Sequence, residues 1–221
     1  MNGYEITTVE TAPLGHPFTP RELEQQCRAI IGAVAWPGKR PGFGLVLAVT
    51  GGRDGQPYGF YLLDEAEDGD LLKLVLKCDG LDSRYAPERW IGDNRKTAAQ
   101  QAMGRVAEAK QPKSGESVRA LTYVCSTALV EDDGPYQYAV PMLKTLLREE
   151  DRQLFIKDSR VREYLRQIDE ADLPSLQRGD FPAIEALAYA AQAAEECRKS
   201  DEWSRKQPRE HIERPRSPMA F

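Results

Sequence analysis

The sequence has no long hydrophobic run and few of the side chains that nucleophilic enzymes depend on. No apolar segment approaches the roughly 20 residues needed to cross a bilayer, and residues 1–10 lack the charged and then apolar layout of a signal peptide. We therefore expect a cytoplasmic protein without a membrane partner. The only histidines, His16 and His211, stand near opposite ends of the chain, which argues against Ser/His/Asp or Cys/His catalysis.

Closely spaced cysteine pairs and an excess of basic residues are also missing. The four cysteines lie far apart in apolar or helical stretches, which predicts reduced, mostly buried thiols and argues against a disulfide framework or a zinc site; they are Cys27, Cys78, Cys125 and Cys197. The formal net charge of −5 gives no overall attraction to phosphate, so nucleic-acid binding would need a local basic surface.

What is present is an ordinary globular composition in a chain long enough to bury one large core. With 221 residues, of which 41% are hydrophobic and 29% charged, one main domain is the simplest expectation. We predict an N-terminal segment with one helix (1–41), an α/β domain (42–200) and a polar tail (201–221). The tail contains basic and aromatic residues that suit either nucleic-acid or partner contact or simple solvation: Trp203, Arg205, Lys206, Arg209, Arg214, Arg216 and Phe221.

Hydrophobic periodicity and turn residues predict the elements. Thr19 and Pro20 read as the start of a helix over 20–34, whose apolar stripe is Leu23, Cys27, Ile30, Ile31 and Val34. The further predictions are a β-hairpin of strands 43–49 and 58–63 around a turn at 51–55, helices at 70–81, 94–110, 136–150, from 158 and 180–199, and strands at 89–91 and 118–125. This order predicts an α/β fold: a mixed sheet that opens with a hairpin and is flanked by helices.

Functional groups gather at strand ends in such sheets. This directs attention to 50–52, 92–94 and 180–185, where Asp93, Asp180 and Glu185 supply carboxylates. Magnesium or manganese ions that cleave phosphodiesters need clustered oxygen ligands, and these three residues offer part of such a set. The alternative is structural, because Asp93 and Asp180 each precede a predicted helix and suit its N-cap.

Three segments resemble the RNase H-like nuclease domain of phage large terminases, over roughly residues 42–194. They are the hairpin, Trp90-Ile91-Gly92-Asp93, and residues 181–189 with the sequence Phe-Pro-Ala-Ile-Glu-Ala-Leu-Ala-Tyr. The resemblance implies an RNase H-like fold, a phage or prophage origin, and a site in which Asp93 and Glu185 are the second and third metal-binding carboxylates. It puts Thr50 where the first, bridging acid is expected, and threonine cannot replace an anionic ligand.

Three hypotheses follow. The first is a degenerate, non-catalytic RNase H-like module that binds nucleic acid or a phage protein. The second is a working nuclease in which Asp93 and Glu185, helped by Asp180 or Asp54, hold magnesium or manganese. The third is an α/β interaction protein with no nuclease ancestry. Strand order distinguishes them, because an RNase H-like topology implies that the 89–93 strand lies beside the first strand of the hairpin.

Overall fold

A computed structural model describes residues 27–50, 58–93, 97–110, 152–156 and 178–206, together with 121, 124–126, 141, 143, 168, 170, 171, 174 and 175. Several predictions lie outside these residues or mostly outside them. They are the helix start at 20–26, the turn at 51–55 with Asp54, the cap at Asn94, most of the 118–125 strand, the helices at 136–150 and from 158, and the tail beyond residue 206.

The described elements include a six-stranded mixed sheet with the order β5-β4-β1-β2-β3-β6. Its strands are β1 (Cys27–Ala35), β2 (Gly42–Thr50), β3 (Tyr58–Asp68), β4 (Arg89–Gly92), β5 (Cys125–Ser126) and β6 (Arg152–Ile156). Strands β1, β2 and β3 form an antiparallel meander, whereas β4 is parallel to β1, β5 to β4, and β6 to β3. The α/β class, the mixed sheet and the hairpin of β2 and β3 are confirmed, and β3 continues five residues beyond its predicted end at Leu63.

The predicted helix over 20–34 is wrong where the structure describes it, because Cys27–Ala35 is strand β1. This strand lies between β4 and β2, so a central strand comes from the segment that the sequence assigned to the region before the domain. It is buried on both faces from Ile31 to Ala35. Such a strand has no polar alternation, and its apolar residues also satisfy helical spacing. The strand beginning at Arg89 consequently lies beside β1 and not beside β2, contrary to the expectation.

Helices cover both faces of the sheet. Helices α1 (Leu71–Tyr85) and α2 (Thr97–Lys110) pack with one face, and helix α3 (Pro182–Lys206) packs with the other. The predicted N-cap of α1 is confirmed, since the Asp70 carboxylate accepts a hydrogen bond of 2.9 Å from the Lys73 backbone N–H. Residues 201–206 belong to α3, so the first part of the predicted tail is helical. In the part of the chain described, no helix combines the length and the apolar character needed to cross a membrane.

A glycine and a tryptophan fix how β1 and β4 fit together. Gly32 pairs directly with Trp90 across the two strands, and a Cβ atom added to Gly32 would lie within 2.8 Å of three Trp90 ring atoms. The indole N–H of Trp90 donates a hydrogen bond of 3.0 Å to the buried carboxylate of Asp82 in α1. The ring therefore lies flat over the glycine and ties the centre of the sheet to α1.

Candidate functional site

The ends of β1 and β4 form the candidate site, which we call the carboxyl edge. The two strands are parallel and Val34 pairs with Gly92, so Ala35 and Asp93 follow at the same level. Side chains alternate between the faces of a strand. This alternation puts Ala35 and Asp93 on the face of Ile91, which α3 covers. Ala35 is only 1% exposed, whereas Asp93 is half-buried.

Trp36 joins the two strand ends. Its indole N–H donates a hydrogen bond of 2.8 Å to the backbone carbonyl of Asp93, and its ring packs into the core under α1 and α2. Trp36 is 4% exposed, so this bond is shielded from water. The end of β1 therefore contributes an apolar methyl group on one face and a hydrogen-bonded indole on the other.

Helix α3 runs antiparallel to β1 and β4, which brings its first turns to the carboxyl edge. At the opposite end of β4, the Arg89 guanidinium donates to the Ala193 carbonyl (3.3 Å) and pairs with Glu196 (3.1 Å). From Arg89 to Asp93 the strand advances about 13 Å, and from Ala193 back to Glu185 the helix covers about 12 Å. Asp93 and Glu185 consequently lie at a similar height along the sheet.

Both carboxylates at the start of α3 have partners within the chain. The Tyr189 hydroxyl donates a hydrogen bond of 3.3 Å to Glu185 Oε1, one helical turn away. The Asp180 carboxylate forms an ion pair with Arg178, with both N–O distances at 2.7 Å. Asp180 therefore has a structural partner just before α3, although its contact is an ion pair and not the predicted helix cap.

Thr50 lies at the opposite edge of the sheet, and the predicted cluster of Thr50, Asp93 and Glu185 is therefore wrong in its first member. Because β2 is antiparallel to β1, Thr50 pairs with Cys27, at the beginning of β1. Its hydroxyl donates to the Gly59 carbonyl at 3.4 Å. Burial raises the pKa of the neighbouring Cys27 thiol to about 11, and it also raises the pKa of Tyr61, so both groups stay protonated at neutral pH.

The carboxyl edge does not fit a two-metal centre. Ala35 takes the place level with Asp93 where a bridging acid would stand, and Arg178 already neutralises Asp180. Among the residues that the structure describes, no three Asp, Glu, Cys or His side chains are arranged to hold a metal ion. Two metals need several shared carboxylates, and the described residues of this edge do not form such a cluster.

A pocket of about 260 Å³ lies at the same edge, between the β1–β2 loop and the start of α3; we call it the loop–helix pocket. Its lining combines apolar and charged side chains: Arg40, Pro41, Phe43, Glu67, Asp180, Phe181, Pro182 and Ala183. Phe43 pairs with Ala35, which places the pocket floor beside the end of β1. The sequence of this loop, residues 36–42, was interpreted only as the stop of the predicted helix. Its two prolines and two glycines between apolar runs were a signal for a hairpin loop.

A second, larger groove of about 680 Å³ lies between β3 and α1. Two of its four lining acids are paired with cations of the helix: Asp64 with Arg84 at 2.6 Å, and Asp68 with Lys77 at 2.9 Å. Hydrogen bonds from the Asp70 backbone and from Lys77 lower the pKa of Asp68. This groove is a solvated ion-pair surface, and none of the three predicted carboxylates lines it.

Comparison with known proteins leaves the family of this chain open. No protein-family model matches the sequence, and neither the curated proteins nor the solved structures that were searched contain a match.

Proposed function

We propose that the protein is a degenerate RNase H-like module, related to those of phages or prophages, that acts by binding nucleic acid or a partner protein and does not cleave phosphodiesters. The observation that carries the proposal is the pairing of Val34 with Gly92. It sets the buried methyl group of Ala35 beside Asp93, at the place where a bridging carboxylate would be needed.

The RNase H-like part of the proposal rests on the resemblance and on the mixed sheet. The resemblance implied that the strand leading to Asp93 lies beside β2, the first strand of the hairpin, and this expectation was not met. Strand β4 is instead the parallel neighbour of β1, which begins the antiparallel meander of β1, β2 and β3. Helix α3, which contains the segment resembling the family's closing helix, packs across β1 and β4 on the face that includes Ala35.

The chemistry at the carboxyl edge supports the non-catalytic part. A metal-bridging acid must be ionised and accessible to the metal, whereas Ala35 has no charge and Trp36 uses its N–H to hold the Asp93 main chain. Glu185 and Asp180 are engaged by Tyr189 and Arg178. These contacts stabilise the folded carboxyl edge and engage its carboxylates within the chain. The edge therefore suits binding better than catalysis.

A nuclease assay with paired variants tests the proposal. Plasmid DNA and single-stranded oligonucleotides are incubated with the protein and millimolar magnesium or manganese, and manganese binding is followed by titration calorimetry. We expect no metal-dependent cleavage by the wild type. We also expect the Asp93→Asn and Glu185→Gln variants to give the same manganese titration as the wild type.

Glu108→Gln is the matched control, because Glu108 is an exposed acid on α2 away from the edge. Cleavage that is lost in Asp93→Asn and Glu185→Gln but kept in Glu108→Gln would overturn the proposal. That result would establish the working nuclease in its place.

A further inference from the structure

The loop–helix pocket stands beneath a short basic loop. Trp36 and Pro37 lead out of β1, Lys39 and Arg40 are exposed, and Pro41 leads into β2. The Gly38 N–H donates to the Arg40 carbonyl at 3.1 Å, and Trp36 is bonded to Asp93. The loop backbone is therefore held at its base and turned at its tip, next to the carboxyl edge, and Arg40 lines the pocket.

The two cations are available to an external anion. Within the described part of the chain neither Lys39 nor Arg40 forms a side-chain ion pair. Arg178, a described cation just before α3, is paired with Asp180. A chain with an overall negative charge thus presents two adjacent, exposed positive charges at this one loop.

The pocket below the loop suits a flat apolar group better than a phosphate. Phe181 and Pro182 line it from the helix and Pro41 from the loop. Glu67 and Asp180 also line it, and Asp180 is already paired with Arg178. At about 260 Å³ it is smaller than the 300 to 1,000 Å³ typical of pockets for drug-sized ligands, so it holds a single ring system.

We propose that the loop–helix pocket binds one unpaired base of a single-stranded nucleic acid, while Lys39 and Arg40 contact the adjoining phosphates. Stacking of a base on an aromatic side chain combined with cations along the backbone is the common mode of single-strand binding. The apolar part of the lining favours the base over the charged phosphates inside the pocket. The inference deepens the proposed function by naming the partner, and it rests on that proposal.

Fluorescence anisotropy with a labelled 12-nucleotide single strand, and with the duplex of the same sequence, tests the inference. We expect the wild type to bind the single strand at least tenfold more tightly than the duplex, since a paired base cannot enter the pocket. Replacing the Phe181 ring by the similarly apolar side chain in Phe181→Leu should weaken single-strand binding about tenfold. It should leave the far-UV circular dichroism unchanged.

The salt dependence of binding tests the contribution of the basic loop. A plot of log affinity against log salt concentration has a negative slope for such binding. The double variant Lys39→Ala/Arg40→Ala should make this slope less steep by about 1.4, because each phosphate contact on a single strand contributes about 0.7 to its magnitude. Arg105→Ala removes an exposed charge from α2 and should change neither affinity nor slope. Equal effects of the loop variant and Arg105→Ala would overturn the site, as would heparin binding as tight as that of the oligonucleotide.

The two proposals fail in different ways. If no oligonucleotide binds at low salt, the inference is overturned, whereas a non-catalytic module that binds a protein partner still stands. If metal-dependent cleavage occurs, the proposed function is overturned whatever occupies the pocket.

Discussion

The Gly32→Ala substitution tests whether the first described segment is a strand or a helix, because the two structures predict stability changes of opposite sign. If residues 27–35 were helical, as their spacing predicts, alanine would stabilise the protein by about 0.5 to 1 kcal/mol, because glycine is the poorer helix former. In the structure Gly32 pairs with Trp90, and a Cβ atom would lie within 2.8 Å of three atoms of the ring. The structure therefore predicts destabilisation.

The magnitude follows from what the ring must do to avoid the methyl group. Forcing one extra carbon into a packed core costs about 1 to 3 kcal/mol. Trp90 is 3% exposed and is bonded to the Asp82 carboxylate at 3.0 Å, so a shift also weakens a buried hydrogen bond worth about 1 kcal/mol. We expect Gly32→Ala to lower the free energy of unfolding by about 3 kcal/mol.

Urea unfolding followed by circular dichroism at 222 nm measures this difference. The matched control is Gly104→Ala in α2, where a Cβ atom meets nothing within 4 Å; this variant should gain about 0.5 to 1 kcal/mol. The cost of Gly32→Ala should shrink when Trp90 is replaced by phenylalanine, since the two side chains are in direct contact. A stabilising or neutral Gly32→Ala would refute the pairing of β1 with β4.

Two further predictions concern buried polar groups under α1. Asp79 is 2% exposed, accepts a 3.0 Å hydrogen bond from the Leu121 N–H and forms an ion pair with Lys110. Asp79→Ala should cost about 1 to 3 kcal/mol in urea unfolding, because it leaves the buried Leu121 N–H without an acceptor. Asp79→Asn should cost less, because it keeps an acceptor. Burial raises the pKa of Cys78 from 9.0 to about 12. As pH rises, the thiol of the unfolded chain therefore loses its proton at a lower pH than the thiol of the folded protein. The free energy of unfolding should be constant in this respect below pH 9 and should fall by roughly 1 kcal/mol per pH unit between 9 and 12. Cys78→Ala should show a shallower alkaline loss, and an identical pH profile for both proteins would contradict this assignment.

Local signals were sufficient for the elements from β2 to β4. The short apolar run of β2, the aromatic- and leucine-rich start of β3, the cap at Asp70 and the short strand before Gly92 are all local signals, and the structure bears them out. Strand β1 could not be recognised in this way. Its burial on both faces comes from α3 on one side and from α1 and α2 on the other, and those contacts are distant in sequence.

The candidate site was only partly predictable, because its first position depended on the missed strand. Counting β2 as the opening strand made Thr50 the end of that strand, whereas the antiparallel pairing carries Thr50 to the far edge. Asp93 could be proposed because it follows a locally recognisable strand, and Glu185 because it lies in the segment that carries the resemblance. Arg40 and Phe181 could be joined into one pocket only after α3 was known to run antiparallel to β1.

The observed strand order moves the position that the resemblance implies for the first acid from the end of β2 to the end of β1. Thr50 is replaced by Ala35, with Trp36 following, and neither offers a carboxylate. Trp36 also has a structural role, because its hydrogen bond to the Asp93 carbonyl links the end of β1 to the end of β4. The same bond fixes the base of the loop that contains Lys39 and Arg40. The contact between Trp36 and Asp93 thus orients the loop that we propose for binding.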